Sequence, residues 1–227
     1  MNLKDGWFWS RSNLFFAFPF DHAGFTAQLG LTERWTLTAG VVNGYLNVVD
    51  NNPEKSVLLK AAWSPSDRFL FHVLYFGGVE RPTGAAEGRA WRHMLDLVAV
   101  WLASERISVR TELNGGVEPN AFGLDAWGAG QLAVRVLLTP WLYAAARADV
   151  LFESTPAGGT PIFFPPPWVT SATATLEVKP LETIALRLEY RHDQAGAPMY
   201  FGGQVPADGR ATFHLQDTLT LGAVASF

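Results

Sequence analysis

The chain has 227 residues, 48% hydrophobic, 13% aromatic and only 17% charged, against roughly 25% charged for an ordinary soluble domain. Seventeen basic against 21 acidic residues leave a formal charge of -4, with no basic footprint for nucleic acid and no polybasic membrane patch. The absence of cysteine removes disulfide frameworks, thiolate zinc sites and cysteine nucleophiles together.

From the N-terminus, "MNLKDGWFW" lacks the basic region and apolar run of a signal peptide. No later stretch has the length of a spanning helix, since even "MLDLVAVWLA" is short and contains Asp96. What recurs is alternation. Twelve strands are predicted: "SRSNLFFAFPF", "GFTAQLGL", "WTLTAGVVNG", "KSVLLKAAW", "RFLFHVLYFGG", "WRHMLDLVAVWLA", "RISVRTELN", "WGAGQLAVRVLLT", "WLYAAARADVLFE", "WVTSATATLEV", "TIALRLEYR" and "ATFHLQDTLTLGAVASF". In "TIALRLEYR", Ile184, Leu186, Leu188 and Tyr190 share one face, and Arg187, Glu189 and Arg191 the other. The final segment does the same, with Asp217 as the exception on its apolar face. A period of two means a strand with two different environments. Most of these runs approach the length of a tilted membrane-crossing strand.

The connections alternate. "TER", "SPSD", "SE", "PW" and "KPLE" are tight, while "YLNVVDNNPE", "VERPTGAAEGRA", "GGVEPNAFGLDA", "STPAGGTPIFFPPP" and "HDQAGAPMYFGGQVPADGR" are long. Short turns on one rim and long loops on the other characterise an up-and-down outer-membrane barrel. Trp9, Trp35, Trp63, Trp101 and Trp141 lie beside short turns, and Trp91, Trp127 and Trp168 lie beside long loops. Indole prefers the headgroup level, so these eight are read as two aromatic girdles. In hydrocarbon every backbone polar group needs an internal partner, so the sheet has to close. The expected fold is all-β, a transmembrane antiparallel up-and-down β-barrel, with residues 1–227 as one domain.

The sequence resembles the OmpL-like outer-membrane β-barrel porins of the porin-2 type. The resemblance rests on "RSNLFFAFPFDHAGFTAQLGLTERWTLTAGVVNGY" with "DNNPEKS" following, on "LRLEYRHD", and on the closing "QDTLTLGAVASF". It implies a bacterial outer-membrane porin with no catalytic residues. It also implies that Phe227, ending an alternating strand, is similar to the signal read by the barrel-assembly machinery. Members of that family begin with a signal peptide and further strands, so this chain is read as a fragment or a mis-started gene model.

With apolar faces toward lipid, the lumen receives Arg11, Lys60, Arg92, Asp96, Arg110, Glu112, Arg135, Arg147, Asp149, Glu177, Arg187, Glu189 and Arg191. Two readings stand: paired charges that make the wall wettable, or an arginine ladder that sets a transverse field and selects small polar or anionic solutes. The five histidines have no ligand spacing, so no metal is called for. Asp50, Asn51, Asn52 and Glu54 read as turn chemistry ahead of a calcium loop.

The favoured function is passive diffusion of small hydrophilic solutes, with no enzymatic activity and no cofactor. The partners are outer-membrane lipid, the assembly machinery and the solutes, with homo-oligomer formation left open. One alternative is a lipid hydrolase using His93 on the outer face, although no serine pairs with it. The other is a plugged structural or adhesive barrel, with Phe163 and Phe164 folded inward from a proline-rich loop.

Overall fold

A computed structural model describes residues 6–203 and 205–226. Eleven strands form one sheet in strict sequence order, every neighbouring pair antiparallel. They are β1 (Gly24–Gly30), β2 (Trp35–Val42), β3 (Ser56–Ser66), β4 (Phe69–Val79), β5 (Trp91–Leu102), β6 (Ile107–Asn120), β7 (Gly123–Thr139), β8 (Leu142–Ser154), β9 (Trp168–Leu181), β10 (Ile184–Ala195) and β11 (Leu215–Ala225).

The sheet is inverted relative to a soluble one. Along β9, Ser171, Thr173, Thr175 and Glu177 are buried while Leu176 is 49% exposed. Along β10, Arg187, Glu189 and Asp193 are buried while Leu186, Leu188 and Tyr190 face out. Alternation therefore sends polar groups to the concave face and aliphatic groups to the convex one, the arrangement a lipid-facing barrel wall requires.

Short turns join β1/β2, β3/β4, β5/β6, β7/β8 and β9/β10 on one rim. Three register irregularities, at Trp63/Ser66, Leu137/Thr139 and Ile184/Leu186, lie beside these turns, where an extra residue adds local twist. On the opposite rim, four connections are long and the fifth is not. Where "GGVEPNAFGLDA" reads as a loop, the β6/β7 ladder runs on to Asn120↔Gly123, leaving a turn of Ala121 and Phe122. Gly123 takes φ +141 there, in the region L side chains rarely adopt. Beyond the His93↔Val117 and Ala126↔Ser154 pairs that end its flanking ladders, this hairpin projects past its neighbours.

The count of twelve strands is corrected to eleven among the described residues. "SRSNLFFAFPF" is not a strand. It holds a 3-10 helix, Asn13–Ala17, capped by Ser12 Oγ, which accepts the Phe15 N–H at 3.2 Å. Leu14 and Ala17 are fully buried, and the helix packs on β7, β8 and β9 inside the curled sheet. Its run of consecutive apolar residues lacks the period of two, because it fills an interior instead of separating lipid from water.

With that segment removed from the wall, β1 and β11 are the two edges of the described sheet, each paired on one side. Both run from the long-loop rim to the short-turn rim, so they point the same way and do not form an antiparallel pair with each other.

Candidate functional site

The concave face is organised around the segment leading into β1. Its backbone is clasped by the charged groups of β8 and β10. Trp9 N–H and Ser10 N–H donate to the two oxygens of Glu189 at 2.7 and 2.9 Å. Asn13 N–H donates to Asp149 at 2.8 Å, and Arg147 donates to Ser10 O and Ser10 Oγ at 2.9 and 3.0 Å. Arg191 donates to the Arg11 carbonyl and to Asn13 Oδ1. Aromatic rings lie on the guanidinium groups, Trp9 over Arg187 at 5.3 Å and Phe8 over Arg147 at 4.7 Å. A carboxylate taking two backbone N–H groups and a guanidinium under an aromatic face are strong, oriented contacts in a site of low dielectric.

The segment divides the interior in two. In the half toward the long loops lies an apolar cluster that includes Leu14, Tyr45, Phe76, Met94, Trp127 and Leu151. Residues 155–167 fold over it. Glu153 accepts the backbone N–H groups of Ile162, Phe163 and Phe164, and the Phe163 ring meets Trp127 edge-on at 5.2 Å. The inward folding of Phe163 and Phe164 is thus a feature of this interior. In the half toward the short turns lies a cavity of about 740 Å³, lined on one side by the segment and on the other by β3 to β8.

The strand residues expected in the lumen share the concave face. Arg187 pairs with Glu177, Arg135 donates to Glu177 at 2.5 Å, Arg191 pairs with Asp193 at 2.6 Å, and Arg147 lies 3.4 Å from Asp149. Arg92 reaches Glu118 at 2.7 Å, and Asp96 accepts from Asn114 at 3.1 Å. Arg110 and Glu112 are 3.6 Å apart, and Glu112 also accepts from Gln131 at 2.5 Å. Lys60 lines the cavity. Arg11 is concave-side too, but it stands on the inner segment with its guanidinium 4.7 Å from the Phe15 ring.

The idea of a free arginine ladder needs correcting. Arg187 is 0% exposed beneath Trp9, and Arg147, Glu177 and Glu189 are buried, so these groups anchor the segment and do not front an open passage. Two tryptophan placements are corrected as well. Trp9 belongs to the inner segment, and its indole N–H donates to the Arg187 carbonyl at 3.2 Å. Trp127 points inward, donating to Asn114 Oδ1 at 2.8 Å, because odd residues of β7 face the interior. Trp35, Trp91, Trp101 and Trp141 are exposed, and Trp63 stacks on Trp35 at 5.8 Å. Trp168 lies on the outer face at the start of β9. Phe227 lies outside the described residues.

One ionic centre escaped the sequence reading. Arg81 contacts Glu118 at 2.6 Å, Asp125 at 3.1 Å, Glu87 at 3.5 Å and the Thr160 carbonyl at 2.9 Å, tying two long loops to the β6/β7 hairpin. It was concealed because Glu118 and Asp125 sit in the stretch read as a loop. Nearby, burial raises the Glu80 carboxyl above its usual range, opposed by hydrogen bonds from Ser56 and the Tyr45 N–H. Lys55 pairs with Asp50, whose carboxyl it holds below the usual range, and Asn52 donates to the Val79 and Arg81 carbonyls. These contacts close a turn.

On the convex face, His93 Nδ1 is 2.8 Å from the Tyr75 hydroxyl. Asp217, the charged exception on its strand, accepts from Tyr190 at 2.6 Å and meets His192 at 2.9 Å. No group of three or more histidine or acidic residues arranged for a metal ion occurs among the described residues.

Among solved structures, the chain resembles a porin with a TM-score of 0.60 at 13% identity, covering 91% of this chain and 62% of that one. It also resembles OmpT, an outer membrane protein of Vibrio cholerae in a form lacking loop L8, with a TM-score of 0.61 at 11% identity, covering 97% of this chain and 69% of that one. At such identities the likeness is one of fold, and the chain spans less than two thirds of the first structure. No curated protein matches. The family model described as "Putative beta-barrel porin-2, OmpL-like" matches residues 2–227. With its inverted antiparallel sheet and almost its whole length matched, this chain belongs to the OmpL-like porin-2 family of bacterial outer-membrane β-barrels.

Proposed function

We propose that the chain forms wall and constriction of a passive channel for small hydrophilic solutes, without enzymatic activity. The observation that carries this reading is the contrast between covered and uncovered parts of the concave face. From β3 to β10 it is overlaid by the inner segment and the apolar cluster. On the flanking strands it bears Thr26, Gln28, Thr36, Thr38, Gln216, Thr218 and Thr220, all exposed or half-exposed. Neutral hydroxyl and amide groups exchange hydrogen bonds with water and sugars without holding them. Solutes would pass along this lane, beside the free side of the inner segment. The charged pairs of β8 to β10 then serve as its anchor, and the outward tryptophans hold the wall at its depth in the bilayer. The terminal Phe227 is kept as the assembly signal.

Conductance of the protein purified from outer membranes, measured in planar bilayers with potassium chloride and with sugars of increasing size, tests this. Stepwise current that falls as sugars enter is the expected result. The filled half of the interior favours a second reading, a sealed structural barrel, and a preparation that inserts but passes no current would establish it instead. Phospholipid hydrolysis in mixed micelles that is lost in His93→Ala would overturn both.

A further inference from the structure

The 740 Å³ cavity beneath the inner segment has two unlike walls. One is aromatic, with Phe15 and Phe18 from the segment. The other carries Lys60 on β3 and Arg110 on β6. Lys60 and Arg110 share the cavity with one lining carboxylate, Glu112, and lie in range of Asp96 on β5.

The two wall cations are also underused. Lys60 has no ion-pair partner among the described residues. Arg110 makes only the 3.6 Å pairing with Glu112, and its Nε is buried without a hydrogen-bond partner. His72, on β4 between the two strands that carry them, lines the same cavity. A buried guanidinium N–H lacking an acceptor, beside a second cation and opposite a ring-lined wall, is half of a recognition site whose missing half is an anion with an apolar body.

We propose that this cavity binds small aromatic carboxylates, the carboxylate bridging Lys60 and Arg110 and the ring lying against Phe15 and Phe18. The assignment rests on the channel reading in one respect: the anion is a solute in transit through the same interior. A cavity of this volume accommodates a single ring with water around its charged end. Chloride and acetate would satisfy the cations but leave the aromatic wall wet. A neutral alcohol of the same shape would leave both cations unanswered.

Isothermal titration of the whole detergent-solubilised protein with sodium benzoate tests the site, while potassium chloride conductance of the same preparation tests the channel. The expected result is saturable benzoate binding, with acetate and benzyl alcohol at least about ten-fold weaker, as loss of either half of a charge-assisted contact implies. Lys60→Gln and Arg110→Gln should each weaken benzoate by about ten-fold or more, Lys60→Arg should restore most of it, and Lys55→Gln, on an exposed loop, should leave it unchanged. Equal affinity for benzoate and benzyl alcohol, or conduction without saturable benzoate binding, overturns the site. Binding without conduction sinks the channel reading and leaves the site standing. Heat-modifiable migration on gels shows whether each variant still folds; if none does, the wild-type ligand series alone decides.

Discussion

Glu189 on β10 receives the backbone N–H groups of Trp9 and Ser10 on its two carboxylate oxygens, at 2.7 and 2.9 Å. A side chain from the wall thus fixes the course of the chain that crosses the interior, and the side-chain hydroxyl of Thr175 completes the set at 3.0 Å.

Glu189→Ala should free the segment without opening the sheet. Two part-buried N–H donors lose a charged acceptor, at a cost of about 1.5–3 kcal/mol for each such bond. The measurement is protease cleavage within residues 8–20 of the detergent-solubilised protein, expected to rise while the heat-stable barrel band persists. Cleavage no faster than wild type would mean that the remaining contacts hold the segment alone.

Gly222 on β11 leaves room for the Trp9 ring: a Cβ there would lie 2.5 Å from the indole. Gly222→Ala should therefore displace Trp9 and destabilise by about 1–3 kcal/mol, the usual range for overpacking. Gly203→Ala, where a Cβ meets nothing within 4 Å, is the control. Thermal unfolding followed by tryptophan fluorescence should separate the two variants.

Arg81→Ala leaves Asp125, 0% exposed, without its cation, while Glu118, also 0% exposed, keeps Arg92. Removing one partner of a buried ionic cluster costs about 3–5 kcal/mol. The loss should be local, appearing as faster hydrogen exchange in residues 81–90 and 155–160 with strand amides of β9 and β10 unchanged. Uniform loss of protection across the sheet would contradict a clamp confined to the long-loop rim.

For pH the sign follows from Glu80, whose carboxyl burial raises above its ordinary value. The folded state then binds a proton more tightly than the unfolded one. The associated stability is fully present below the ordinary carboxylate value and is lost as pH rises through the raised one. Glu80→Gln, which mimics the neutral form, should flatten this dependence. Melting of wild type and variant should therefore diverge as the pH is raised from acid toward neutral, and parallel curves would refute the assignment.

Alternation along segments such as "TIALRLEYR" was enough to determine the inverted sheet, because each side chain faces lipid or the interior by parity alone. Turn residues and strand spacing likewise located all five short turns on one rim. The β6/β7 hairpin reads as a loop because "EPN" and "FG" carry turn chemistry, while the ladder continues through them, held by the Arg81 contacts to Glu118 and Asp125. Parity also placed the charged residues on the concave face, yet not their role. Whether Arg187 meets water or a tryptophan depends on what crosses the interior, and nothing within β10 encodes that. The crossing segment and the division of the interior it creates arise from contacts between residues more than a hundred positions apart, such as Trp9 with Glu189 and Asn13 with Asp149, and the cavity with Lys60 and Arg110 exists only once that segment is in place. A two-residue period reports which side a residue faces; only the closing of distant strands around the segment decides what it faces.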